Sequence, residues 1–290
     1  MSSPTKPDSI ASALTLCGSI SRYPVSMGAA MHRAGYRALD LAFTYVPFAV
    51  SDLAGAVRGM RALGIRGLGV SMPFKLDVIP LIDELDPLAR QIGAVNTIVN
   101  DDGHLVGHNT DWIGALRALE EVASVRDARV LLLGAGGAAR AVAYGLQQRG
   151  AVTTIANRNL ERAAILAREV GADARPIDEA QRAGDYDVVI NASSVGMANV
   201  DLTSPIDASA IRPGMLIMDI VYKPIETALV ATARRCGARV IHGGRMLLHQ
   251  AARQFELYTG RDAPLEAMDT ALMAQLTAFD TPPPSTTIPR

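Results

Sequence analysis

Residues 130–140 (VLLLGAGGAAR) restrict the possible folds more than any other part of the chain. Four successive apolar residues, 130–133, make a short buried strand, and the glycines behind them make a tight turn. Residues 138–148 then read as a helix. Gly134, Gly136 and Ala139 fit G-x-G-x-x-G/A, with Gly137 and Ala138 inside the turn. In such a bend the backbone approaches a pyrophosphate at a helix N-terminus. The spacing alone is weak, because Gly-rich turns also close ordinary strand–helix units. Here it has company: Gly150 ends the helix, and residues 152–156 (VTTIA) form a second strand that runs into Asn157 and Arg158.

The end of that second strand carries cofactor information. An NAD-binding fold usually places an acid there to bond the ribose hydroxyls. This chain has Asn157, then Arg158, and Arg162 one helical turn on. Two guanidiniums on one helix face reach a dianionic 2′-phosphate together, which favours NADP. The competing reading makes them solvated helix charges.

At 290 residues the chain has room for two domains, each with its own core. A hydrophobic content of 49% and a net charge of −1 exclude a disordered chain and a nucleic-acid binder built on excess positive charge. Cys17 and Cys236 stand far apart without metal-type spacing, and are expected as buried thiols in a reducing cytoplasm. The five histidines show no HExxH or HxH pattern, so no metal site is expected. No G-x-S-x-G elbow supports a serine nucleophile. No signal peptide or membrane span is visible, and a cytoplasmic location is expected, as monomer or homodimer.

Along the chain, 1–10 and 280–290 are polar, proline-rich tails expected to fray. Strands are expected at 13–20, 38–46, 67–71, 94–100 and 104–108, with helices at 26–34, 51–63 (N-capped by Ser51), 77–85 and 87–92. Asp102-Gly103 reads as a hairpin turn. Asn109-Thr110-Asp111 opens a helix that leads to the glycine-rich unit. Beyond it come a helix to Val170, strands at 187–191, 215–220 and 238–242, and helices at 226–236, 245–258 and 264–279. Alternation of this kind predicts an α/β protein with parallel sheets covered on both faces. The expected division is a substrate domain at 1–112, completed by 246–290, and an NADP-binding Rossmann domain at 113–245.

Ligands of open α/β folds lie at the carboxyl ends of strands. The polar residues at those places are Ser71, Lys75, Asn96, Asn109, Asp111, Asn191, Ser193, Tyr222 and Gln250. Mostly neutral amides and hydroxyls, they suit a small polyhydroxylated substrate. An alcohol that gives up hydride also loses its hydroxyl proton, so a dehydrogenase needs a proton acceptor within reach. Lys75 is expected to transfer that proton and Asp111 to orient it, the reverse order staying open. The pair is expected to converge from opposite lobes. Taken singly, Asp111 as a helix-dipole acid and Lys75 as a solvated turn lysine are the plainer readings.

Read together, Val70-Ser-Met-Pro-Phe-Lys75, Gly93-Ala-Val-Asn-Thr97, Gly107-His-Asn-Thr-Asp111, the run at 134–140, Asn157-Arg158, Asn191-Ala-Ser-Ser-Val-Gly-Met197 and Met246-Leu-Leu-His-Gln-Ala-Ala252 resemble the shikimate dehydrogenases. The resemblance covers nearly the whole chain between Leu14 and Gly260. It implies an NADP-dependent oxidoreductase interconverting shikimate and its 3-dehydro ketone. It makes Lys75 and Asp111 the catalytic pair and places Ser26, Ser71, Asn96, Tyr222 and Gln250 around the substrate. Gly134, Gly136, Gly137, Ala138, Asn157, Arg158, Arg162, Ser193 and Met246 would hold the cofactor.

The chain also departs from the family pattern. Where relatives carry Ser-x-Ser-Pro ahead of Met-His, it has Ser26, Met27, Gly28 and Ala29 ahead of Met31-His32. The second serine, which in relatives helps hold the substrate carboxylate, is missing. Asn159 stands where the phosphate clamp usually has Thr, and Arg245 replaces a glycine, as in quinate-using relatives. The chain looks most like the shikimate-dehydrogenase-like branch. Two alternatives follow: a quinate/shikimate dehydrogenase with relaxed choice between NAD and NADP, and an NADPH-binding sensor on a dehydrogenase scaffold.

Overall fold

The computed structural model describes residues 14–24, 26–198 and 200–280. The first sheet is built from β1 (Thr15–Ser21), β2 (Phe43–Ala49), β3 (Gly67–Val70), β4 (Glu84–Leu85), β5 (Thr97–Asp101) and β6 (His104–His108). Its helices are α1 (Met27–Ala38), α2 (Leu53–Ala62) and α3 (Pro87–Ile92). Then α4 (Asp111–Glu120) leads to the second sheet: β7 (Arg129–Leu133), β8 (Val152–Asn157), β9 (Asp173–Pro176), β10 (Val188–Asn191), β11 (Leu216–Asp219) and β12 (Arg239–Ile241). Its helices are α5 (Gly137–Gln148), α6 (Leu160–Val170) and α7 (Ala228–Arg235), and α8 (Gly243–Thr259) and α9 (Leu265–Asp280) close the chain.

The second sheet is parallel throughout, in the order β12-β11-β10-β7-β8-β9. Chain direction across the sheet reverses between β7 and β10, which is where a doubly wound sheet opens its ligand crevice. Residues 130–133 are fully buried, as an apolar run covered on both faces should be. Val130 and Leu132 join the core beneath α4, α5 and α6, while Leu131 and Leu133 join the opposite core with Leu229 and Ala233 of α7. Gly134 follows at φ +114°, and a Cβ there would lie 2.8 Å from the carbonyl of Ala192. Only glycine fits where the β7 turn meets the loop after β10.

The first sheet, ordered β2-β1-β3-β5-β6-β4, is mixed. Strands β2, β1 and β3 are parallel, whereas β5 runs antiparallel to both β3 and β6. The expected parallel sheet therefore fails at β5, which runs against both neighbours; the Asp102-Gly103 hairpin accounts for its pairing with β6. Helices α1, α8 and α9 cover one face through Met31, Tyr36, Phe255, Tyr258, Leu272 and Leu276. A Cβ on Gly67 would meet the Tyr258 ring at 2.2 Å, so α8 lies directly on the β3 backbone. The chain thus returns from the second sheet to complete the first.

Several boundaries differ from those read in the sequence. Helix α2 is capped by Asp52, which accepts from the Gly55 N–H at 2.8 Å, and not by Ser51. Ala38 ends α1 rather than opening a strand, since Met27 to Tyr36 supply a continuous buried face. Residues 77–85 form a short 3-10 turn and the edge strand β4 instead of a helix. Strand β9 was not expected; its polar residues lie on the exposed edge of the sheet. Cys236 is half-buried rather than buried, and both thiols are free. The expected tails fall outside the described residues, save Asp280, which ends α9. Among the described residues no helix is long and apolar enough to cross a membrane.

Candidate active site

Strand β3 ends at Val70 and the chain turns at once. The Ser71 N–H donates to Ile20 O and the Phe74 N–H to Ser71 O, each at 3.0 Å, around a cis Met72–Pro73 peptide. Phe74 is buried, which anchors the turn, and the Lys75 carbonyl accepts from the Val95 N–H at 2.9 Å. Asp111 begins α4, where the helix dipole favours a carboxylate. Its N–H donates to Asn109 Oδ1 at 3.0 Å, and Asn109 in turn donates to the Ala94 carbonyl at 3.1 Å. These two anchors bring Lys75 Nζ to 2.6 Å from Asp111 Oδ2.

Asn96 completes the pair. Its Nδ2 donates to Asp111 Oδ1 at 2.8 Å and to Thr110 Oγ1 at 3.0 Å. Both carboxylate oxygens therefore accept, one from Lys75 and one from Asn96. The Lys75 side chain is about one-third exposed (32%) and that of Asp111 far less (13%), so the pair has a wet side and a dry side. Gln250 approaches from α8, with Oε1 3.5 Å from Thr110 Oγ1. Gly114 lets α8 come that close, since a Cβ there would lie 2.8 Å from both Gln250 Cβ and the Met246 carbonyl. Burial pushes the Tyr222 phenol up from its ordinary range, and the nearby Lys75 and Asp111 charges pull it in opposite directions. It stays a hydrogen-bond donor at neutral pH.

At the other sheet, Gly136 and Gly137 open α5 with nothing within 4 Å of a Cβ, and the Gly136 N-cap is without a side-chain hydrogen bond. The first N–H groups of α5 are thus accessible to an anion. Asn157 donates to the Asn159 carbonyl at 2.9 Å, and Asn159 caps α6 through the Arg162 N–H at 3.0 Å. Arg158 and Arg162 are exposed, and no ion pair among the described residues takes either guanidinium. This donor set fits a dinucleotide with a 2′-phosphate. After β10, Ser193 Oγ donates to Asn191 Oδ1 at 2.7 Å, and Asn191 donates to the buried Asp219 at 2.9 Å. Met246 is buried against the core beneath α4 and α5.

Three family models match the chain in order: a shikimate dehydrogenase substrate binding domain over 22–98, a shikimate / quinate 5-dehydrogenase over 117–230, and a shikimate 5'-dehydrogenase C-terminal domain over 243–273. The shikimate dehydrogenase (NADP(+)) of Moorella thermoacetica is 44% identical over 260 residues, which cover 85% of this chain and 88% of that one. The chain belongs to the shikimate dehydrogenase family.

Solved members of the family share its architecture. Shikimate 5-dehydrogenase of Thermus thermophilus, in complex with NADP(H) and shikimate, is 32% identical with a TM-score of 0.82, covering 90% of this chain and 99% of that one. Quinate dehydrogenase of Corynebacterium glutamicum, in complex with NAD, is 33% identical with a TM-score of 0.84, covering 90% and 99%.

The structure brings together Lys75, Asp111, Asn96 and Gln250, with Tyr222 close enough to feel both charges. The expectation of opposite lobes is corrected, because both members of the ion pair follow strands of the first sheet. Ser71 is exposed at the end of β3. Ser26 has a partner of its own: Oγ donates to Gln275 Oε1 on α9 at 2.9 Å. Arg245, at the glycine position, pairs with Glu121 at the end of α4 and with Asp269 of α9, the latter at 2.5 Å. Residues not singled out from the sequence also belong to the site. Thr97 and Thr110 lie within the quoted motifs and hold Asn96, while Gln254, one helical turn after Gln250, was legible only as a face of α8.

Proposed function

We propose that this protein is an NADP-dependent oxidoreductase that interconverts shikimate, or a close hydroxylated cyclic acid, with its 3-dehydro ketone. The single observation that carries this reading is the Lys75–Asp111 ion pair at 2.6 Å, held by Asn96, in a chain that also carries the open glycine turn of a dinucleotide fold. Of the described residues, those up to 112 together with those from 246 onward form the substrate domain, and those between form the cofactor domain. The cofactor supplies a hydride acceptor and donor. Gly134, Gly136, Gly137 and Ala138 would hold its pyrophosphate; Asn157, Arg158 and Arg162 its 2′-phosphate; Ser193 and Met246 its nicotinamide end.

In the oxidation, the Lys75 ammonium first releases a proton to solvent on its exposed side, and the neutral amine then takes the substrate hydroxyl proton as the carbon loses hydride to the cofactor and becomes a carbonyl carbon. In the reduction, the Lys75 ammonium returns that proton to the carbonyl oxygen. Asp111 orients the ammonium and balances its charge. Its two oxygens already accept from Lys75 and Asn96, which favours Lys75 as the group that moves the proton. Ser71, Tyr222 and Gln250 present donors and acceptors to the ring hydroxyls, and Ser26 stands at the lip. Asn96, expected among them, instead has its amide committed to Asp111, Thr110 and Thr97 and holds the pair from behind. The enzyme works in the cytoplasm, alone or as a homodimer.

Gly28 favours a second reading within the same chemistry, in which quinate or another hydroxy acid is the better substrate. A turnover screen of shikimate, quinate and related acids with NADP and with NAD decides between them. Tight NADPH binding without oxidation of any such acid would support the sensor instead.

A further inference from the structure

Behind the amide that holds Asp111, a line of buried side chains runs away from the cleft, and its hydrogens have assigned places. Gln254, on α8, is nearly sealed from solvent. Its Nε2 donates to the backbone carbonyl of Asn96 at 3.2 Å and to Thr97 Oγ1 at 2.9 Å. A carbonyl only accepts, so flipping the Gln254 amide would bring two oxygens together. Having accepted that bond, Thr97 gives its own proton to Asn96 Oδ1 at 2.8 Å, in preference to Thr110 Oγ1 at 3.4 Å. Asn96 Oδ1 also accepts from the Thr110 N–H at 2.7 Å. With that oxygen committed, the Asn96 NH2 turns to Asp111.

The far end is fixed as well. Gln254 Oε1 faces His32 Nε2 at 3.4 Å, so the imidazole carries its proton on Nε2. His32 is fully buried and stacks on Tyr45 with centroids 4.3 Å apart. Its Nδ1 faces the Tyr36 hydroxyl at 3.5 Å. From His32 to Asn96 every donor points toward Asp111 and none away from it.

We propose that Gln254 is a positioning residue for the proton-transfer pair: by making Thr97 a donor to Asn96, it sets the Asn96 amide against Asp111 and so fixes how the Lys75 ammonium is held. This rests on the reading of Lys75 and Asp111 as that pair. A role confined to joining α8 to β5 would alter stability and the active fraction alone. Positioning also sets how well each folded molecule works, and it depends on a hydroxyl at residue 97.

The test uses the full chain with NADP and shikimate, together with NMR of the Asn96 side-chain amide. Gln254→Met keeps the length and removes the donors. It is expected to lower kcat per folded molecule about tenfold or more, leave substrate KM within about threefold, and shift the Asn96 amide resonances. Thr97→Val, which deletes the hydroxyl, should do the same, and Thr97→Ser should regain most of the loss. Wild-type kcat and Asn96 resonances in Gln254→Met would overturn the proposal. If that variant does not fold, the Thr97 pair decides: equal losses in Ser and Val overturn it, and rescue by Ser supports it. Lys75→Ala is assayed alongside. Retained turnover there sinks the underlying reading, whereas its collapse beside an unaltered Gln254→Met sinks this inference alone.

Discussion

The Lys75 ammonium and the Asp111 carboxylate stand 2.6 Å apart although 36 residues separate them in the chain. A turn behind β3, anchored by the buried Phe74, delivers one and the first turn of α4 delivers the other. Replacing Lys75 by Ala is expected to lower kcat by roughly a hundredfold to ten-thousandfold, with substrate KM within about tenfold. Lys75→Arg should not rescue, because a guanidinium keeps its proton. Steady-state kinetics of the two variants check this, and near-normal kcat in either would remove Lys75 from the chemistry.

The proposed reading of the cofactor's 2′-phosphate rests on two exposed guanidiniums at the start of α6. Replacing both Arg158 and Arg162 by Ser removes the positive charge while leaving the Asn159 cap to hold the helix. The expected result is a loss of about ten- to a hundredfold in kcat/KM for NADP, with the NAD value within about threefold. Equal losses with the two cofactors would show that the arginines shape the helix rather than read a phosphate.

How much of this was legible beforehand depends on the range of the forces involved. Residues 130–140 declare a strand, a turn and a helix because burial and backbone freedom are local demands, and the second sheet assembles around them. The hairpin at Asp102-Gly103 was equally plain, yet its consequence was not. A single reversal makes the first sheet mixed, and nothing near Gly67 announces that β5 will pair with β3 in the opposite direction. Ser51 and Asp52 are both good caps, and only the geometry of the Gly55 N–H chooses Asp52. In the site, charges and hydroxyls at strand ends stood out. Gln254 and His32 did not, because an amide and an imidazole within apolar faces have no local signature until α8 is laid on the sheet.

Two buried groups pull the stability in opposite directions as pH changes. Burial holds His32 down to about 4 from an ordinary 6.5, against the weaker opposing hydrogen bond to Gln254. Below 6.5 the unfolded chain takes up a proton that the folded one refuses, so this contribution is present above 6.5 and lost as pH falls toward 4. Asp219 behaves oppositely. Burial raises it to about 6 from 3.8, so its contribution is present below 3.8 and lost as pH rises through 6. The two nearly cancel between 4 and 6. Asp219→Asn is therefore expected to unmask a fall of about 3 kcal/mol in unfolding free energy from pH 6.5 to 4, read by urea denaturation relative to wild type. Parallel pH profiles for the variant and wild type would contradict the assignment.

The lip of the substrate site offers a gain-of-function test. Ser26 already gives its hydroxyl to Gln275, and Gly28 stands where the resemblance leads one to expect a second serine. A Cβ built on Gly28 meets only the Tyr45 hydroxyl, at an ordinary 3.8 Å, so serine fits with no neighbour displaced. The position lies in the first turn of α1, where exchanging glycine for serine also favours the helix by a few tenths of a kcal/mol. One added hydrogen bond to a carboxylate contributes about 1–2 kcal/mol. Gly28→Ser is thus expected to lower the KM for shikimate by roughly five- to thirtyfold while kcat stays within about twofold, and to leave the KM for NADP untouched. A neutral cyclic polyol should gain nothing. If the carboxylate and the polyol respond alike, the loop acts on the shape of the pocket and the missing serine does not explain the substrate preference.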